Sequence, residues 1–433
     1  MRIQIDQQRI AQEIEDLAAI SEVEPPAVTR IVFSEHDLRA RAWLNKRFDE
    51  AGLAVRTDAV GNTFARWEGS RTDLPAVATG SHIDAIPYAG KFDGVVGVLG
   101  GLEAIRALKA TGFQPTRPIE LIQFTSEEPT RFGVGCLGSR LLSGTVRPEV
   151  DDTLRDSSGN TLESLRKQAG FLGNLGSVRL RDRFYSAFVE LHIEQGPILE
   201  REDITIGIVT EIAAPASFLV VLEGQGGHAG GTLMSGRRDA LCAASELILA
   251  IERLARSSGS IDTVATVGIC EVYPGAINSI PSRVKLGVDL RDIDGERRDS
   301  ILEQIRAAGK NIALERQVEI QFEMLNADAP GSSSSHVLAA IRAACDVARV
   351  SSREMVSRAY HDSLFMSRIA PVAMIFIPCR GGVSHRPDEF AKTQDIAAGV
   401  EVLARTLAEL SSYTGELPCA VPQRRSASSP AIM

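Results

Sequence analysis

The chain has 433 residues, 44% of them hydrophobic, and a mean hydropathy of zero, which is enough for two domains that each bury a core. Its formal net charge of -9 leaves no basic stripe to neutralise phosphates, which argues against nucleic acid and anionic membranes as partners and for a small-molecule substrate. No stretch nears about 18 uninterrupted apolar residues, and the opening segment MRIQIDQQRIAQEIEDLAAI carries acids at helical spacing where a leader would be apolar, so a cytoplasmic protein is expected. Cys136, Cys242, Cys270, Cys345, Cys379 and Cys419 are scattered without a C-x-x-C pair, which suits reduced thiols.

In chain order, the first part alternates strands and helices, the pattern of an α/β domain with a largely parallel sheet. Residues 74–80 are predicted as a short apolar strand, 94–110 as an apolar helix and 119–125 as the next strand. In open α/β sheets ligands bind beyond the carboxyl ends of strands, and His82, Glu127 and Glu128 fall there. From about Ile212 the rhythm changes to a strand (217–222), a helix (237–256), two strands around Pro274-Gly275, a helix (296–315) and a strand (318–325). This is one β-α-β-β-α-β unit with antiparallel character, read as an insertion over 212–326. The linker NADAPGSSSS then returns the chain to the first domain, which a helix (335–348), a strand (372–377) and a helix (393–410) complete. The domains expected are therefore 1–211 with 327–415, and 212–326; residues 416–433 have little to bury and are expected to be disordered.

His82, Asp93, Glu128, His192 and His385 each sit in a loop marked by Gly, Pro or acids. Mixed imidazole and carboxylate donors suit Zn²⁺ or Mn²⁺, and one carboxylate can bridge two ions about 3.5–4 Å apart. Of the seven histidines, His82, His192, His228, His361 and His385 lie in such short Gly/Asp/Glu-rich segments, whereas His36 and His336 do not.

The segments GSHIDAIPYAGKFDGVVGV, FTSEEPTRFG, ELHIEQGPIL, GQGGHAG, GAINSIP, DLRDID, YHDSLFM and GGVSHRP occur in that order. With them the chain resembles the hydantoinase/carbamoylase branch of the M20 metallopeptidase family from about residue 10 to 413. The resemblance implies a dinuclear metallopeptidase-like catalytic domain with an inserted α+β domain for dimerisation and lid closure. It implies two divalent ions, with Mn²⁺ preferred, although residue types alone accept Zn²⁺ as well. His82 and His192 would hold one ion, Glu128 and His385 the other, and Asp93 both. Where peptidase members usually have an acid, this chain has His192, the amidohydrolase pattern. Asp84 is then expected to accept from the His82 imidazole and fix its tautomer.

Neighbouring side chains in an extended segment point apart, so Glu128 can bind metal while Glu127 faces water as general base and later returns the proton to the leaving nitrogen. The resemblance makes His228, in a glycine-rich loop, the group that steadies the oxyanion. It places Asn278 and Arg291 on the substrate, with Gln195 and His361 as further pocket residues. The planar fork of Arg291 suits a carboxylate; an ion pair with Asp289 or Asp292 is its competing use. The implied reaction is hydrolysis of a carbamoyl or ureido amide beside a carboxylate, and Tyr360, where relatives with larger substrates have a small residue, points to the small (S)-ureidoglycolate. That substrate would yield glyoxylate, ammonia and carbon dioxide at the end of purine-ring catabolism. An N-carbamoyl-L-amino acid or allantoate is the alternative substrate. A homodimer is also implied, in which the partner's inserted domain brings the residues matching His228 and Asn278 to the metals.

Overall fold

The computed structural model describes residues 1–415, and the tail expected to be disordered, 416–433, lies outside the described residues. Two units are distinguished, one made of Met1–Thr210, Ser332–Ser357 and the described residues from His361, the other of Glu211–Gly331 and Arg358–Tyr360.

In the first unit four strands form a parallel centre: Val77–His82 pairs with Ile119–Phe124 on one side and Ala187–Ile193 on the other, and the latter pairs with Val372–Ile377. Strands Ala54–Thr57 and Thr63–Trp67 extend one edge in antiparallel sense, and Ile206–Ile212 runs antiparallel beside Val372–Ile377. The sheet is therefore mixed, where a largely parallel one is predicted. The added strands alternate too weakly to read from sequence: the burial of Ala54–Thr57 follows its edge position and shows no period of two. The predicted 74–80 strand begins at Val77 and runs on to His82, since Pro75 has no N–H for the ladder and Val77 starts it by donating to the Pro118 carbonyl.

Residues of the central strands divide between two apolar cores, one on each face. Val77, Leu121, Val189 and Leu191 pack with helices Gln7–Ala18, Val95–Ala110, Ser335–Ala348 and Thr393–Ser412, while Ala78, Ile122, Phe124 and Phe188 pack with Leu137, Leu141 and Leu162. Covering both faces explains why these strands read as continuous apolar runs. Helix Val95–Ala110 carries glycines at a cost of about 1 kcal/mol each relative to Ala, and the sheet shows why. A Cβ at Gly97 would lie 2.5 Å from the Leu191 carbonyl oxygen, and one at Gly101 2.7 Å from Leu121.

The second unit is a four-stranded antiparallel sheet in the order Val264–Tyr273, Arg283–Asp292, Ala214–Glu223, Glu319–Ala327. Arg283–Asp292 alternates strictly, with Val284, Leu286, Val288 and Leu290 buried against helices Ala240–Arg256 and Gly295–Arg316. Both helices start at an aspartate: Asp239 accepts from Leu241 and Cys242, and Asp294 from Glu296 and Arg297. In chain order the unit is β-α-β-β-α-β, with the short bridge Ser279–Ile280 between the middle strands. Among the described residues no helix is long and apolar enough to cross a membrane.

Candidate metal centre

Parallel strands end on one edge of the sheet, and four of them deliver the cluster. His82 closes its strand, Glu127 and Glu128 follow Ile119–Phe124, His192 lies near the end of Ala187–Ile193, and His385 follows Val372–Ile377. Asp93 comes from the turn that opens helix Val95–Ala110. Its Oδ1 lies 3.5 Å from His82 Nε2 and 3.2 Å from His192 Nε2. Its Oδ2 lies 3.5 Å from His385 Nε2, which is 3.1 Å from Glu128 Oε1. The five residues thus form two groups of three, His82–Asp93–His192 and Asp93–Glu128–His385, each with donor atoms within 4.8 Å of one another.

The imidazoles are aimed by their other nitrogens. Nδ1 of His82 is 3.0 Å from the Asp84 carbonyl oxygen, and Nδ1 of His192 is 2.9 Å from that of Ile193; a ring nitrogen facing a carbonyl carries the proton, which in the neutral ring leaves the Nε2 lone pair on the Asp93 side for a cation. Asp84 therefore orients His82 through its backbone. Its carboxylate is 3.8 Å from that ring and instead accepts the N–H groups of Glu127 (3.3 Å) and Glu128 (3.0 Å), amides beyond the strand end that need an acceptor. Gly94, at φ +65°, passes so close that a Cβ there would lie 2.4 Å from His82 Nε2, so glycine is required.

Electrostatics give the cluster a demand for positive charge. Burial disfavours charge on His82, yet Glu127, Asp93 and Asp84 outweigh it and raise its pKa well above the ordinary value. Burial likewise opposes ionisation of Asp93, but His192 and His82 hold it well below the carboxylate range. His385 is pushed up to about 9, chiefly by its hydrogen bond to Glu128. Buried carboxylates and oriented imidazoles whose Nε2 atoms converge on them fit divalent first-row cations, and a carboxylate shared by two triads fits a bridged pair.

Glu127 is buried with its Oε2 3.7 Å from His82 Nε2, and its Oε1 accepts the Cys136 thiol at 3.2 Å. Burial raises its pKa well above the usual value, and Glu128, Asp362 and Asp93 add to the shift. Gln195 donates to Asp93 Oδ2 at 2.6 Å, leaving its own Oε1 buried without a partner. His361 is buried with its ring 4.5 Å from that of His192.

Glu190 went unnoticed in the sequence although the signal was present: in AFVELHI the period of two puts Glu190 and His192 on one face, and an acid inside an apolar strand calls for partners. It accepts from Ser81 Oγ (2.8 Å) and from Ser363 N (3.1 Å) and Oγ (2.6 Å). Glu190, His192 and His361 also group within 4.8 Å, but with the Glu190 oxygens so engaged they form a support behind His192. Glu389, likewise missed, has no local signal at all.

The second unit carries the remaining candidates. His228 pairs across a short bridge with Ser279, and the Ala229 N–H donates to the Asn278 carbonyl at 2.9 Å, so the exposed His228 and Asn278 stand on adjoining turns. Arg291 donates to Asp289 at 2.6 Å, and its guanidinium lies 5.4 Å from the centre of the Tyr360 ring. Of the two acids that could compete for it, Asp292 pairs with Arg297.

Residues 78–409 match the model of peptidase family M20/M25/M40. A ureidoglycolate hydrolase of Oryza sativa is 51% identical, over 94% of this chain and 85% of the rice protein, and an N-carbamoyl-L-amino acid amidohydrolase of Geobacillus stearothermophilus is 39% identical, over 94% and 99%. A crystal structure of AtUAH in complex with (S)-hydroxyglycine superposes with a TM-score of 0.89 at 50% identity, covering 94% of this chain and 98% of that one. The motifs, the fold and these likenesses agree: the chain belongs to peptidase family M20/M25/M40, among its hydantoinase/carbamoylase relatives.

Proposed function

We propose that this hydrolase uses two divalent ions, Mn²⁺ by preference, to cleave the ureido C–N bond of (S)-ureidoglycolate. The observation that carries the reading is the sharing of Asp93 by two ligand triads; the 51% identity to a protein named ureidoglycolate hydrolase supports the substrate. His82 and His192 would hold one ion, Glu128 and His385 the other, and Asp93 both. The ions, when bound, polarise the carbonyl and ease deprotonation of water. Glu127, buried beside His82, takes the proton as water adds to the ureido carbonyl, and returns it to the departing nitrogen as the C–N bond breaks. His228 donates to the carbonyl oxygen as it gains charge. Arg291 and Asn278 take the substrate carboxylate, Gln195 and His361 steady the pocket through Asp93 and His192, and Tyr360 limits its size. Net consumption of water converts the substrate to glyoxylate, two ammonia and carbon dioxide, the hydroxyglycine formed on the way losing the second ammonia. That reaction belongs to the breakdown of purine-derived ureides.

The reading includes a cytoplasmic homodimer assembled through the second unit. Its edge strand Val264–Tyr273 pairs on one side only and exposes Val264, Ile269 and Tyr273, an edge that calls for cover. Ammonia release by Mn²⁺-reconstituted protein from (S)-ureidoglycolate, allantoate and several N-carbamoyl-L-amino acids tests the substrate. Preference for ureidoglycolate is expected; preference for a carbamoyl amino acid would overturn the substrate and leave the ion pair standing.

A further inference from the structure

We propose that Glu389 is the positioning residue that locks the Asp93 turn to the His385 loop and thereby sets the affinity of the ion held by Asp93, Glu128 and His385; this deepens, and rests on, the two-ion reading. Glu389 is 4% exposed. Its Oε1 accepts the backbone N–H groups of both Phe92 (2.8 Å) and Asp93 (3.1 Å), and Ser384 Oγ bridges its Oε2 (2.9 Å) to Asp93 Oδ2 (2.5 Å). The chain makes room for it: a Cβ on Gly90 would lie 2.3 Å from Glu389 Cβ. The loop bearing His385 is closed by its own hydrogen bonds, Arg380 N to the Phe390 carbonyl (2.8 Å) and Glu389 N to the Arg386 carbonyl (3.1 Å). Glu389 and His385 therefore move as one piece, and fixing Glu389 on the Asp93 amides fixes His385 relative to Asp93. The two triads differ here. His82 and His192 sit in strands of one sheet and are 2% and 0% exposed, whereas His385 is on a loop with its side chain 46% exposed. Groups that orient metal ligands from behind change metal affinity about 10–100-fold when removed, and the clamp ties the loop-borne His385 to Asp93, whereas the strand-borne pair is held by the sheet.

Equilibrium dialysis of metal-free protein against Mn²⁺, with bound ions counted by atomic emission, reads this directly. Wild type is expected to bind two ions; fewer would sink the two-ion reading itself, before any variant is considered. Glu389→Ala is expected to keep one ion at wild-type affinity and to bind the second at least about tenfold more weakly. Glu389→Gln, which keeps Oε1 as acceptor for both amides, should stay close to wild type. Wild-type affinity for both ions in Glu389→Ala, or equal weakening of both, overturns the proposal. Should circular dichroism show Glu389→Ala unfolded, Ser384→Ala decides: selective weakening of one ion supports the clamp, and equal or no weakening overturns it.

Discussion

The two units solve the problem of presenting polar groups in opposite ways. In the first, the candidate ligands and base are buried except for His385, and further groups hold them: Asp84 takes the amides of Glu127 and Glu128, the Ile193 carbonyl faces His192, and Gln195 and Ser384 hold Asp93. In the second, the candidate residues stand outside the apolar cluster between sheet and helices, His228 and Asn278 on exposed turns and Arg291 tied to Asp289. Buried donors aimed in advance suit ions, which need fixed geometry; exposed groups on permissive backbone suit a substrate that must enter and leave.

This contrast predicts which variants fail and how. The largest effect is expected from Asp93→Ala, which removes the carboxylate common to both triads: turnover should fall on the order of 10⁴-fold or more and ion content should fall with it. Full activity with normal ion content would break the shared-ligand geometry. Glu127→Gln should lower kcat about 10²–10⁴-fold while two Mn²⁺ still bind, a separation that metal analysis beside initial rates would show. His228→Ala removes one donor to the developing charge and should cost about 10²–10³ in kcat with an unchanged melting temperature, because its side chain lies outside any core; a large drop in melting temperature would instead give His228 a structural role. The smallest effect should come from Arg291→Lys, which keeps the charge and loses the fork. A rise in KM of about tenfold, the lower end for a lost charged hydrogen bond, with kcat nearly intact is the expected result, and an unchanged KM would count against a role for Arg291 on the substrate.

Much of this was legible locally. The predicted helix over 335–348 and strand over 372–377 coincide with Ser335–Ala348 and Val372–Ile377, because flanking turn residues and a plain apolar pattern both mark them. The strand expected over 217–222 extends to Ala214–Glu223, since its length is set by register with Arg283–Asp292 on one side and Glu319–Ala327 on the other, which no local pattern reveals. Glu190 could have been found from period two within its strand; Glu389 could not, the two amides it accepts from lying 296 and 297 residues away.

By itself, then, the sequence determined the kinds of donor present, their placement at strand ends and the α+β character of the inserted segment, because side-chain chemistry and hydrophobic period are local properties. Only the tertiary structure decided that Asp84 acts on His82 through its carbonyl while its carboxylate serves two amides, that Glu389 reaches the Phe92 and Asp93 amides, and that Arg291 turns to Asp289. Each of these depends on distances of a few ångströms between atoms whose neighbours are set by sheet order and loop closure, and a buried polar atom takes whichever partner the packed chain brings within hydrogen-bond reach.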